Sequence, residues 1–285
     1  RFLKILKWTL ISLLLLVAVG IAYLRFSRML DPQIYRADYT NEKIESPFDF
    51  QEMSLALHDG TQIHAALFLP ADSLPIKATI FHHVGNGMSL NDSQKHFYAP
   101  LIQDGYQIFS YERRGYGQST GTADNSQVLR NDANEVFDQM LALESVQDSK
   151  IIVWGTSIGG IFATTNAAAK NDRISGLIIE SAFSSFPAVA KFYASEINMG
   201  QFKFLIPLIL NNDFPTKGEI KKITKPVVII HSTEDKRIPF EFSEDIYENA
   251  NKETTEFWKI KGKHVRGIID YETEYVTKFN QILNQ

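Results

Sequence analysis

The distribution of apolar residues divides the chain into two kinds of sequence. Trp8 to Leu24 carries no charged residue, and the apolar stretch around it, from Ile5 to Leu24, is broken by charge only at Lys7. No polar face repeats through it, so it does not read as a core helix of a globular domain. A helix crosses the hydrocarbon core with about 20 apolar residues, in a range of roughly 17–25. The segment meets that length. Arg1, Lys4 and Lys7 precede it and Arg25 and Arg28 follow it, where their long side chains can snorkel to the two interfaces. Residues 1–28 are therefore expected to be a single-pass membrane anchor. The alternative is a cleaved signal peptide, because Ala18-Val19-Gly20 resembles a small-residue cleavage site; against it, Ile21 to Leu24 continue the apolar run. Three basic residues ahead of the span against two behind it put the N-terminus in the cytoplasm by the positive-inside rule, and the remainder of the chain outside it.

Past a polar connector, residues 29–47, the period changes. Leu55 and Leu57 lead into the turn His58-Asp59-Gly60, and Ile63, Ala65, Leu67 and Leu69 then alternate with other residues. This predicts a β-hairpin. From Ala78 onward short apolar runs alternate with longer amphipathic stretches. The strand-like runs are ATIFHH, YQIFSY, KIIVWG, GLIIES, PVVIIHS and TTEFWKI. Helices are predicted at residues 124–144, 158–170, 240–249 and 268–283. Strands alternating with helices specify an α/β fold, a mainly parallel sheet covered on both faces. Residues 186–225 are too long for an ordinary crossover and predict a helix with a small cap over the carboxyl edge of the sheet.

The formal net charge of −4 gives no basic excess for a nucleic-acid partner. With no cysteine in the chain, thiol nucleophiles, disulfides and thiolate metal sites are all excluded. Nucleophilic chemistry must fall to another side chain.

Gly155-Thr156-Ser157-Ile158-Gly159-Gly160 fits G-x-S-x-G, and the apolar strand IIVW runs directly into it while a helical segment leaves it. That is the setting of a nucleophile elbow, a strained turn that lifts a serine hydroxyl above the sheet edge and needs small neighbours two residues away on either side. It also aims the backbone N–H of Ile158 at a forming oxyanion. A serine needs a base, and the base an orienting acid, here in the chain order Ser, acid, His. Asp235 follows a late strand in HSTEDKRIP, with Glu234 as the fallback. His264 is the only one of the seven histidines after Asp235. The second oxyanion donor belongs to the loop after ATIFHH. The N–H of Asn86 is the candidate, with Val84 and Gly85 as alternatives. His82 and His83 have no further partner at ligand spacing, so no metal site is expected, and the chemistry needs no cofactor. The glycines of Tyr111 to Ser119 suit a tight loop beside the site. Phe183, Phe186, Phe192, Phe202, Phe204 and Leu205 are either cap packing or the lining for an acyl chain.

The motifs HVGNG, YERRGYGQSTG, GTSIGG, HSTEDKRIP and KGKH together resemble the α/β-hydrolase superfamily over residues 48–285. Within it the chain is most similar to membrane-anchored serine hydrolases related to lysophospholipases, monoacylglycerol lipases and palmitoyl-protein thioesterases. The resemblance implies Ser157 as nucleophile, Asp235 as acid and His264 as base of an acyl-enzyme mechanism on ester or thioester bonds of lipid-like or acylated substrates. The usual His-Gly pair of the first oxyanion loop reads His83-Val84-Gly85 here, which leaves that donor open. Two other readings remain: a serine peptidase, and a membrane-tethered binding module on the same fold.

Overall fold

The computed structural model describes residues 1–35, 37 and 42–284. Part of the connector, residues 36 and 38–41, lies outside the described residues. The apolar N-terminal segment is one helix, α1 (Phe2–Ser27), in which no residue is buried. Its last residue is followed by Arg28 in the left-handed conformation, φ 54°, which ends the helix.

Eight strands form one sheet in the order β1-β2-β4-β3-β5-β6-β7-β8. The hairpin β1 (Phe50–Ala56) and β2 (Gln62–Phe68) pairs antiparallel, Phe50 opposite Phe68, and β2 is antiparallel to β4 (Tyr106–Tyr111). All other neighbours are parallel: β3 (Ala78–His83), β5 (Ile151–Thr156), β6 (Gly176–Glu180), β7 (Val227–Ser232) and β8 (Thr255–Ile260). Every residue of β3 to β7 is buried, which is why these strands read as short, largely apolar runs, whereas the edge strand β1 is mostly exposed.

Alternate side chains feed two cores. On one face Phe81, Val153 and Ile179 meet α4 (Ser126–Leu141), α5 (Ile158–Ala169) and α9 (Glu241–Asn249). On the other Ile80, Ile152, Trp154 and Ile178 meet α2 (Leu90–Ser93), α3 (Ala99–Gln103), α10 (Gly267–Asp270) and α11 (Glu272–Leu283). Trp154 is wholly buried, with the His82 ring stacked on it at 3.9 Å. The helical segment from Leu90 to Gln103 is absent from the sequence reading, because its apolar residues are interspersed with Asn91, Asp92, Gln94 and Lys95 and Pro100 interrupts it. The helix expected at 268–283 is divided, since Tyr271 leaves helical geometry between α10 and α11.

Between β6 and β7 the chain forms α6 (Phe186–Glu196), α7 (Ile206–Ile209) and α8 (Thr216–Ile220). Ser185 caps α6 by accepting the N–H of Ala188, the N-cap geometry that spares one orphan donor.

Candidate active site

Ser157 stands at the turn between β5 and α5 with φ 55° and ψ −124°, a conformation that costs a non-glycine residue on the order of 1–3 kcal/mol. The surroundings enforce it. The Ser157 N–H donates to the Glu180 carbonyl at 2.8 Å, and its own carbonyl accepts the N–H of Gly160 at 2.9 Å. A Cβ on Gly159 would overlap the His83 carbonyl oxygen, and one on Gly155 would meet the Ala163 methyl at 2.6 Å. The glycines are thus the condition for β3 and α5 to close around the turn. As the first residue of α5, Ile158 has no acceptor for its N–H within the helix.

The three residues selected from the sequence meet at the carboxyl edge of the sheet. Ser157 Oγ lies 2.9 Å from His264 Nε2, and His264 Nδ1 lies 2.6 Å from Asp235 Oδ2. An ionised carboxylate only accepts, so Nδ1 carries the proton and Nε2 is free to accept from the serine. Asp235 Oδ1 accepts the N–H groups of Arg237 and Ile238 at 2.9 and 3.0 Å. Burial alone would raise the pKa of Asp235. Hydrogen bonds from His231, His264 and the N–H of Ile238 outweigh it and hold the carboxyl well below its ordinary value. Glu234 instead accepts the N–H of Gly262 at 3.2 Å on the exposed side of the loop.

Several residues that position this geometry were not singled out from the sequence. His231 donates from Nε2 to the Ile238 carbonyl at 2.9 Å, its Nδ1 is hydrogen-bonded to the Ser243 hydroxyl at 2.6 Å, and Nε2 lies 3.3 Å from Asp235 Oδ2; it braces the acid loop. Buried Glu180 accepts the N–H of Gly267 and the Tyr275 hydroxyl, both at 2.7 Å, and so pins the far end of the loop that carries His264. Burial holds its pKa above the ordinary carboxyl value. Between these fixed points Val265 takes φ 51°.

The loop after β3 is held by Arg113. This buried guanidinium donates to the carbonyls of Val84 and Gly85 at 2.8 and 2.9 Å and lies 4.7 Å from the centre of the Tyr116 ring. In a trans peptide the N–H points opposite the carbonyl, so the N–H groups of Gly85 and Asn86 face away from Arg113. The Asn86 side chain donates to the Ile34 carbonyl at 2.8 Å and accepts from the Tyr116 hydroxyl at 2.8 Å. The loop from Tyr111 to Ser119 therefore does more than turn tightly: it sets the peptide planes opposite Ser157. His82 and His83 are core residues bonded to Tyr98 and Asn166. Burial lowers both, His83 to about 3, so neither carries charge near neutrality.

Ser157, Ile158, Gly85, Asn86 and His264 open onto a cavity of about 580 Å³. That volume falls in the usual range of small-molecule sites, roughly 300–1,000 Å³. Phe183, Phe186, Val189 and Tyr193 supply its apolar wall. Of the aromatic residues singled out after β6, Phe183 and Phe186 thus line the cavity, whereas Phe202 and Phe204 are exposed.

An eight-stranded, mostly parallel sheet with a strained serine at its carboxyl edge defines an α/β-hydrolase fold. The family described as alpha/beta hydrolase fold matches residues 78–217. The chain has the α/β-hydrolase fold and is similar in sequence to proteins of that family, a lipase among them. It is 26% identical over 236 residues to protein bem46 of Schizosaccharomyces pombe, spanning 79% of this chain and 74% of that one. It is 27% identical over 206 residues to the lysophosphatidylserine lipase ABHD12 of Xenopus tropicalis, spanning 69% of this chain and only 50% of that protein. In structure it resembles the esterase Pf2001 of Pyrococcus furiosus, with a TM-score of 0.66 over 87% of this chain and 98% of that one at 17% identity.

Proposed function

We propose that the protein is a membrane-anchored serine hydrolase that cleaves acyl ester or thioester bonds of lipid-like or acylated substrates through an acyl-enzyme on Ser157. The observation that carries the reading is the unbroken chain of hydrogen bonds from Asp235 through His264 to Ser157 at the wall of an apolar cavity. The lipase and esterase relatives support ester hydrolysis, and the name of one of them supports a lysophospholipid-like substrate.

In this mechanism His264 Nε2 takes the Ser157 proton as Oγ attacks the acyl carbonyl. The Oγ–carbonyl bond forms, and the carbonyl π pair moves to oxygen. Asp235 stays ionised, holds the imidazole tautomer and stabilises its positive charge. The N–H groups of Ile158 and Asn86 receive the oxyanion; losing one such donor costs about 10²–10³-fold in rate. The oxyanion pair then re-forms the carbonyl, the bond from carbon to the leaving oxygen or sulfur breaks, and His264 protonates that leaving atom. Water, activated by the same imidazole, releases the acid and restores Ser157. Residues 1–28 anchor the chain and residues 48–285 form the hydrolase, with the cap at 186–225.

A fluorescent fluorophosphonate tests the assignment on detergent-solubilised full-length protein. The wild type is expected to label and to turn over short acyl esters, whereas Ser157→Ala and His264→Ala do neither and keep the wild-type melting temperature. Labelling that survives in Ser157→Ala would place the nucleophile elsewhere. A folded wild type that neither labels nor turns over ester would point to the non-catalytic binding module.

A further inference from the structure

The C-terminal turns of α1 do not stand free of the cap. Ile21, Leu24, Arg25 and Arg28 are half-buried while most of the helix is exposed, and their i, i+3, i+4, i+7 spacing makes one face. That face packs on α7. The Arg25 guanidinium donates to the Pro207 carbonyl at 3.1 Å, and Asn211 donates to the Arg25 carbonyl at 2.9 Å. Arg28 makes a two-pronged ion pair with Asp213 at 2.8 and 3.1 Å. Asp31, bonded to Arg28, also accepts the N–H of Ser126 at the start of α4 at 2.9 Å. The helix is thereby fixed to the cap and to the body beneath it.

This contact sets a depth. At 1.5 Å per residue Ile21 lies about 6 Å from Arg25 toward the apolar centre of α1. A cap element packed beside Ile21 therefore reaches the boundary of headgroups and acyl chains, which amphipathic elements penetrate by about 5–10 Å. The cap surface around that contact is apolar. Phe204 is 69% exposed, Ile197 65%, Leu208 48%, and Phe202 and Met199 47% each. Single exposed apolar side chains are normal on a soluble surface; a cluster beside one helix end is a contact surface.

The cavity opens among the same segments. Tyr193, one turn before Ile197 on α6, lines it, as do Leu210, directly after α7, and Gln33 and Ile34, which follow the anchor. We infer that the apolar face of the cap around Phe202, Phe204 and Leu208 is a bilayer-docking surface, which seats the cap in the lipid interface beside α1 and opens the Ser157 cavity toward lipid. The inference rests on the proposed anchor and hydrolase readings. An acyl substrate then passes from the bilayer to Ser157 with little of its chain crossing water.

The cysteine-free sequence permits clean single-cysteine spin labelling of the full chain in phosphatidylcholine vesicles. Labels go at Phe204→Cys and Leu208→Cys, at Leu14→Cys within the anchor, and at Glu253→Cys at the opposite, amino edge of the sheet. Labels 14, 204 and 208 are expected to be relaxed by oxygen and protected from a water-soluble nickel chelate, and label 253 the reverse. Nickel access at 204 and 208 equal to that at 253 overturns the docking surface. Protection of both from oxygen and nickel alike also overturns it, because a second protein copy then covers the patch. Nickel access at 14 removes the anchor and the docking surface with it.

The double variant Phe202→Ser/Phe204→Ser is expected to raise KM for a long-chain ester carried in vesicles by about tenfold, with turnover of a soluble short-chain ester unchanged. An unchanged vesicle KM overturns access from lipid. Fluorophosphonate labelling in the same vesicles separates the two readings: if the wild type does not label, the hydrolase reading has failed, and the spin-label pattern still decides the docking.

Discussion

In the β1–β2 hairpin one imidazole, His64, is held between two carboxylates, with Nδ1 at 2.9 Å from Glu112 and Nε2 at 2.6 Å from Glu52. At the carboxyl edge one carboxylate, Asp235, is held between two imidazoles, His264 at 2.6 Å and His231 at 3.3 Å. Burial opposes the charge of His64, yet its two acids keep its pKa above the ordinary value. Both of its ring nitrogens are occupied and it has none left for a substrate. At Asp235 the arrangement is reversed. The charge resides on the acid, and His264 uses only Nδ1 to meet it, leaving Nε2 for Ser157. The same two side-chain types thus give a brace in one place and, in the proposed mechanism, a proton carrier in the other. The difference is the ratio of acids to bases and which ring nitrogen is left uncommitted.

Removing the acid charge is the strongest way to break this contrast. Asp235→Asn is expected to lower kcat by about 10⁴-fold, the loss seen when a triad acid can no longer hold the tautomer, and steady-state ester kinetics would show it. Glu234→Gln is the matched control and should stay within about twofold, since it leaves the Asp235 bonds intact. If both variants lose activity equally, the acid has been misassigned.

A middle effect is expected from Arg113→Leu. It leaves the carbonyls of Val84 and Gly85 without their donor and frees the loop that presents Asn86. We expect kcat to fall by about 10²-fold, comparable with one lost oxyanion donor, with KM nearly unchanged and fluorophosphonate labelling slowed. A rise in KM alone would make Arg113 a wall of the cavity and not a positioning residue.

The smallest effect belongs to the hairpin cluster and appears in stability. The folded pKa of His64 is raised, so its ion pairs contribute fully below the unfolded value of about 6.5 and the contribution is lost as pH rises through the folded value. His64→Gln should therefore melt lower than wild type at about pH 6, with the gap closing as pH rises above the ordinary imidazole range, while kcat at neutral pH stays within about twofold. A gap that widens with pH would mean the imidazole is neutral in the fold.

Much of this is legible in the sequence. The elbow was readable because its rule is local: Gly155 and Gly159 are close neighbours of Ser157 in sequence, and their lack of a side chain is what the turn requires. The strands β3 to β7 were readable because burial on both faces makes them apolar at most positions. Asp235 and His264 followed from chain order at strand ends. The helix pieces between Leu90 and Gln103 were not legible, because tertiary burial and not periodicity holds them.

The sequence by itself determined the apolar segment, the alternation of strands and helices, and the three residues that converge at the sheet edge. These depend on composition, on period and on sterics between near neighbours in the chain. Only the tertiary structure decided that Arg113 fixes the loop of Asn86, that Glu180 pins Gly267, and that Arg28 clasps Asp213. These partners stand 28, 87 and 185 residues apart. No pattern along the chain encodes such pairs, because each exists only after folding has brought two otherwise ordinary polar groups within hydrogen-bond reach.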